Sequence, residues 1–286
     1  MRTKANLSFI LLLFAQVSLA QTSVWQASNG SNTVYFGGTV HMLRASDYPL
    51  PAAFEQAYAA ADNLYFEIDL DEMNALGTQM SLMQALMYTD GRNLQSVLNE
   101  EAYKALETYI ADLGIPMLLL QNMKPGMLTS TLEIMAFQSL GFTQQGVDLY
   151  FHQQAKRDGK PIAGLESIQE QVSFLAGLGE GEESEFILLS LRDLETIAVD
   201  IESMLGPWRE GNVAELDALF VDSMKEETPE AYELLVAGRN RSWMQELEAM
   251  FTDSDTEFVL VGVAHLIGNN GLIEMLRARG YTVRQL

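Results

Sequence analysis

The run Phe258-Val259-Leu260-Val261-Gly262-Val263 most constrains what this chain can fold into. It is apolar and rich in β-branched residues, which fit a pleated sheet and resist the helix, so it predicts a buried strand. The strand runs into Gly262-Val263-Ala264-His265, placing an imidazole just beyond its carboxyl end. In open α/β sheets that edge borders the ligand crevice. The same grammar occurs early, where Val34-Tyr35-Phe36-Gly37 leads into Gly38-Thr39-Val40-His41. Two of the three histidines therefore sit three residues after a glycine at the end of an apolar run.

Between these anchors the chain alternates strand and helix signals. Ser28-Asn29-Gly30-Ser31-Asn32 predicts a hairpin turn between 24–27 and 33–36. Pro51 opens a helix over 52–61, and 63–70 alternates as a strand carrying Glu67. Further helices are expected within 72–140, over 100–113, 127–140 and 146–155, and across most of 186–250 with breaks at Gly206-Pro207 and Thr228-Pro229. Ile115 to Leu120 reads as a short strand, Pro161 to Leu165 as another ending at Glu166, and 281–286 as the last. Met73, Leu76, Met80, Met83 and Met87 recur at helical steps. Such a stripe could hold a soft metal or an adaptable partner, but its spacing is that of any amphipathic helix, so core packing is expected. The class is α/β: mixed sheet surrounded by many helices. The paired Gly-x-x-His strands suggest two related halves facing one cleft.

Residues 1–20 read as a cleaved leader, with Arg2 and Lys4 before an apolar stretch and Ser18-Leu19-Ala20 before Gln21. The remainder, 21–286, reads as one domain that is periplasmic or secreted, with no stable membrane anchor after cleavage. Removal of Arg2 and Lys4 takes the formal charge from −22 to −24. That field repels phosphate backbones and anionic bilayers, so nucleic acid is not an expected partner. With no cysteine in the chain, thiol chemistry and disulfides are excluded.

The candidate chemistry rests on His41, His265, Glu67, Glu166 and Arg239. A carboxylate on a buried strand is costly unless paired or metal-bound, which singles out Glu67. Arg239 could answer such a carboxylate or an oxyanion. His152, in a helical segment without the glycine signature, is expected to be surface or structural. His-Glu-x-x-His, Gly-x-Ser-x-Gly and phosphate-loop patterns are absent from the sequence. Two histidines and a carboxylate can hold a divalent metal with an open water position. Without metal, one histidine can act as general base with arginine support.

Taken together, Phe36-Gly37-Gly38-Thr39-Val40-His41, Phe66-Glu67-Ile68-Asp69, Gly146-Val147-Asp148, Gly164-Leu165-Glu166-Ser167-Ile168-Gln169-Glu170-Gln171, Arg239-Asn240-x-x-Trp243 and Val261-Gly262-Val263-Ala264-His265-Leu266-x-Gly268 resemble the TraB/GumN/Tiki family. They fall in the family's order, and the GumN-like bacterial branch is most similar. The resemblance implies an α/β fold shared with erythromycin-esterase-like and ChaN-like proteins. It also implies a metallopeptidase centre, with His41, Glu67 and His265 as metal-site residues and Arg239 and Glu166 beside them. Manganese or cobalt would be favoured, zinc possible, and a peptide or protein would be the substrate. Lys124-Pro125-Gly126-Met127 departs from the family, which carries an aromatic after Lys-Pro. The alternatives are a metal-independent, histidine-based esterase-like hydrolase, or a non-enzymatic binder of haem or of a polysaccharide pathway.

Overall fold

The computed structural model describes residues 21–73 and 76–286, so the expected leader lies outside the described residues. Six strands form one mixed sheet: β1 (Val24–Ser28), β2 (Thr33–Thr39), β3 (Asn63–Phe66), β4 (Ile162–Gly164), β5 (Glu257–Gly262) and β6 (Thr282–Gln285), in spatial order β4-β3-β5-β2-β1-β6. Strands β4, β3, β5 and β2 run parallel, while β1 and β6 close the edge antiparallel. The sheet is thus α/β, mixed and surrounded by helices, as the strand and helix signals implied. This topology does not repeat, so the expectation of two related halves is not confirmed by it.

The β5 run is fully buried because it occupies the centre of the sheet, where Val259, Leu260 and Val261 have no exposed surface. It lies between β3 and β2, with Phe66 opposite Leu260 and Thr39 opposite Gly262. The three motif-bearing strands are therefore neighbours, and their carboxyl ends share one edge. An aromatic layer covers the sheet, with Phe54, Phe151, Trp208 and Phe258 packed at ring separations of 5.7–6.5 Å.

The helices used below are α1 (Ala52–Ala60), α2 (Leu76–Leu86), α3 (Glu100–Asp112), α4 (Pro125–Ser139), α5 (Val147–Asp158), α6 (Ile168–Gly177), α7 (Glu183–Glu210), α8 (Gly238–Ala249), α9 (Val263–Leu266) and α10 (Leu272–Ala278). A second apolar cluster, including Leu106, Leu128, Leu132, Ile187 and Leu191, joins α3, α4 and α7. Helix α7 links the two clusters: its Trp208 Nε1 donates to the Gly38 carbonyl at 2.7 Å. It runs through Gly206-Pro207, where a break was expected. Pro207 sits in the last turn, so the missing N–H costs one bond only, and Gly211 ends the helix with φ 61°.

Two other expectations are corrected. Ile115 to Leu120 is no strand; Met117–Leu119 form one 3₁₀ turn after Pro116, with Leu118 and Leu119 exposed. An apolar run becomes a strand only when a sheet edge is there to pair with it. The methionine stripe does not face the core either: Met73, Leu76, Met80 and Met83 are 38, 75, 67 and 66 % exposed. Helix α2 turns its Thr78, Leu82, Ala85 and Leu86 side inward instead. This helix carries two apolar faces, and α6 packs against the other one.

Some motif glycines serve close backbone approach. A Cβ on Gly146, at the entry to α5, would lie 2.2 Å from the His41 carbonyl carbon, and one on Gly164 would lie 2.7 Å from the Asp69 nitrogen. Backbone cannot yield as a flexible side chain can. Gly146→Ala is expected to cost about 1–3 kcal/mol of stability, read by denaturant unfolding. Met80→Gln and Met83→Gln should stay within about 0.5 kcal/mol of the parent; core packing would make each cost about 2 kcal/mol or more.

Candidate functional site

Glu67, Glu166, Arg239 and His265 meet beyond the carboxyl ends of β3, β4 and β5. Glu67 lies one residue past β3 and Glu166 two past β4, so neither is within a strand. Gly262 ends β5, and the single turn α9 that follows carries His265 inward. Arg239 enters from α8, immediately after a π-helical stretch, Glu233–Ala237. Such wide turns recur at functional sites because they free backbone carbonyls. Here the Leu235 carbonyl accepts from Arg239 Nη1 at 3.0 Å.

Every donor of the Arg239 guanidinium is engaged. Nε donates to Glu166 Oε2 at 3.1 Å, and Nη2 donates to Glu166 Oε1 at 2.6 Å and to Glu67 Oε2 at 2.5 Å. The remaining Nη1 proton faces His265 Nε2 at 3.1 Å. The guanidinium lies 4.8 Å from the Trp243 ring centroid and 5.7 Å from that of Phe174. Trp243 Nε1 also donates to Glu166 Oε2 at 3.2 Å. Arg239, Glu67 and His265 are buried.

Glu67 is further held by the Gly262 N–H at 2.8 Å and Gln171 Nε2 at 3.3 Å. Burial opposes its charge, but Arg239, the charged His41 and the Gly262 amide outweigh that and hold the carboxyl below its usual range. Burial pushes the Glu166 carboxyl up despite Arg239. His265 Nδ1 meets Asn240 Oδ1 at 2.7 Å. Because an amide oxygen only accepts, Nδ1 carries the proton and the Nε2 lone pair points at Arg239. Burial, with help from the Arg239 and His41 charges, lowers this imidazole to about 4.

His41 is the exposed member, with 67 % of its side chain accessible. Its Nδ1 lies 2.9 Å from Asp148 Oδ2 on α5, and the carboxylate raises the imidazole to about 9. The His41 charge acts on both Glu67 and His265, so the two Gly-x-x-His arms share one electrostatic neighbourhood.

The five residues singled out from sequence are thus resolved into a buried cluster of four and an exposed fifth, His41. Asp148, Asn240, Gln171 and Trp243 were given no role. Each nevertheless lies inside a motif already noted, so motif membership was the available signal. Of the two expectations for His152, surface or structural, its burial rules out the first. Its Nε2 lies 3.9 Å from Asp69 Oδ1 and 3.8 Å from Asp71 Oδ1. Among the described residues, Asp69, Asp71 and His152 form the one group of at least three such side chains with ligand atoms all within 4.8 Å, a possible site for a divalent metal.

The profile of the TraB/PrgY/gumN family matches residues 23–285. YbaP of Escherichia coli, an uncharacterized protein, is 25 % identical over 251 residues, covering 87 % of this chain and 89 % of YbaP. Metalloprotease TIKI1 of Xenopus tropicalis is 22 % identical, covering 87 % of this chain and 58 % of its own length. Human metalloprotease TIKI1 is 21 % identical, with 87 % and 59 % covered. No solved structure matches the chain. No helix among the described residues is long and apolar enough to cross a membrane.

Two outcomes follow from this geometry. His41 followed by NMR should titrate near 9, and Asp148→Asn should bring it back toward 6.5. The pair's contribution to stability is full below the unfolded value of 6.5 and is lost as pH rises through about 9. Arg239→Lys, which cannot reproduce a planar five-donor fork, should cost about 3 kcal/mol in denaturant unfolding.

Proposed function

The chain belongs to the TraB/PrgY/gumN family, and on that footing we propose that it is a divalent-metal-dependent hydrolase of peptide bonds, exported as a single domain over 21–286 to the periplasm or beyond. His41, Glu67 and His265 would hold the ion, manganese or cobalt in preference to zinc. The observation that carries this reading is the anchoring of both histidines. Each Gly-x-x-His imidazole has its Nδ1 on a side-chain oxygen, Asp148 or Asn240, which makes Nε2 the nitrogen for a ligand, that of His265 accepting from Arg239 meanwhile. Metal-bound histidines are oriented in this manner.

Glu67 and His265 fit such an ion as they stand, while His41 lies outside ligand distance of that pair and would have to swing in from the surface. Glu67 is anionic and His265 neutral, and Glu67 Oε1 lies 3.8 Å from His265 Nε2. Two ligands with bonds of about 2 Å to one ion lie about 3–4 Å apart. A bound divalent ion polarises a scissile carbonyl and makes a water acidic near neutral pH. The chain's own contribution is orientation. Arg239 is a positioning residue that holds Glu67 against Glu166. To hold the ion, His265 would exchange its bond from Arg239, and His41 would give up the proton that Asp148 favours. Metal affinity therefore rises with pH. The substrate would be a peptide or protein, consistent with relatives named metalloproteases.

A second reading is favoured by the charge distribution itself. One histidine lies near 9 and the other near 4, one a charged acid and one a neutral imidazole, with Arg239 already on the latter. Environments that push two groups apart in this way mark acid/base pairs, so a metal-independent hydrolase could use His41 as its proton donor.

A fluorogenic peptide library separates the readings. With metal, chelation abolishes turnover, manganese restores it, and His41→Ala, His265→Ala and Glu67→Gln each lower kcat/KM by about a hundredfold or more, roughly 2.7 kcal/mol of barrier. Turnover that survives chelation yet disappears in His41→Ala would instead establish the acid/base reading.

A further inference from the structure

We propose that Asp69, Asp71 and His152 form a second divalent-cation site that shares no residue with the Gly-x-x-His centre and ties the segment after β3 to α5. The main observation is His152. It is only 6 % exposed, and its Nε2 has no hydrogen-bond partner. Leaving a buried ring nitrogen unpaired costs about 1–3 kcal/mol, so an unmet nitrogen asks what it is aimed at. It is aimed at two carboxylates, Asp69 Oδ1 at 3.9 Å and Asp71 Oδ1 at 3.8 Å. Those separations are too long for hydrogen bonds and fall within the range of about 3–4 Å that two ligands of one ion show.

The three side chains also have suitable freedom. Asp69 and Asp71 are partly exposed, at 30 and 49 % of their side chains, and Asp71 and His152 line an open cleft of about 430 Å³ together with Gln153, Lys156 and Arg157. An ion could enter there and keep water on its open side. The ring of Phe66 packs edge-on against His152 at 5.7 Å, which fixes the imidazole plane. Asp69 Oδ1 also accepts the Asp71 amide at 2.9 Å, so the two carboxylates are held on one turn. Two carboxylates and one imidazole suit a borderline divalent ion such as Mn²⁺, Co²⁺ or Zn²⁺.

Lys156 is a built-in competitor. Its Nζ lies 2.5 Å from Asp71 Oδ2, one helical turn beyond His152 on α5, and supplies a permanent positive charge at the edge of the cluster. Asp71 Oδ1 remains turned toward His152. A bound ion would thus share Asp71 with the lysine, so removing Lys156 should tighten binding.

The location gives the site a role. Asp69 follows Glu67 by two residues, and His152 follows Asp148 by one turn on α5. An ion joining Asp69 to His152 braces the carboxylate of the first centre against the helix that orients His41. It would stabilise that centre without touching substrate.

The test is Mn²⁺ binding to the full chain, read by calorimetry and by the rise in melting temperature, with no activity needed. The His265→Ala chain should retain one Mn²⁺ with a raised melting temperature. Adding Asp71→Asn, a partly exposed change that leaves the core intact, should weaken that binding by at least about tenfold, and His152→Ala should do the same. Lys156→Ala should tighten it about threefold, the effect of one surface charge. If only one ion binds the parent, and His265→Ala keeps it while Asp71→Asn loses it, this site stands and metal at the Gly-x-x-His centre falls. The proposal is overturned if His265→Ala binds no Mn²⁺, or if adding Asp71→Asn leaves affinity unchanged.

Discussion

The saturated guanidinium of Arg239 is the interaction on which the rest of this site depends. Two carboxylates, Glu67 and Glu166, are brought together in a buried space that neither could occupy charged and unpaired. A buried cation with all five donors engaged resolves that conflict, and a lysine could not, because it lacks the planar fork. The arginine also joins four parts of the fold: the ends of β3 and β4, the turn after β5, and the π-helical entry to α8. Its faces rest near Trp243 and Phe174, which keep water from competing for the same hydrogen bonds. Removing a partner from such a network leaves another buried charge unmet, so its members act as a unit.

Around this fixed centre the sheet sets the geometry. Strands β3, β5 and β2 are parallel neighbours, so the residues that follow them emerge at one edge. The histidines arrive there in contrasting environments. His265 is walled in beside Trp243 at a ring separation of 4.6 Å and stays neutral. His41 stands at the surface with Asp148 behind it and stays charged. Equivalent local motifs thus give unequal side chains, because burial and the sign of the nearest fixed charge differ.

Helix α5 has a larger part than its sequence announced. Its first turn carries Asp148 to His41, and its second carries His152 toward Asp69 and Asp71. Its entry depends on Gly146, where a side chain would collide with the His41 backbone. One helix therefore reaches the rim of the first centre and the acidic cleft beside it. Helix α2 makes the opposite point: its methionines face outward because α6 packs against the other face.

What the sequence determined was local and chemical. The β-branched run of β5, the two glycine-spaced histidines, the costly Glu67 and the cation at Arg239 all announced an α/β sheet with polar residues gathered at its edge. Asp148 and Asn240 were visible within motifs, but their roles were not, since a hydrogen bond across 107 residues leaves no trace in local spacing. Periodicity identified α2 as apolar-faced without saying which face would be covered, and an apolar run at 115–120 looked like a strand without an edge to pair with. Only the tertiary structure decided these points. Side-chain period and propensity are properties of a few neighbouring residues, whereas burial, the charge on each histidine and the approach of His152 to two aspartates depend on which distant segments pack together.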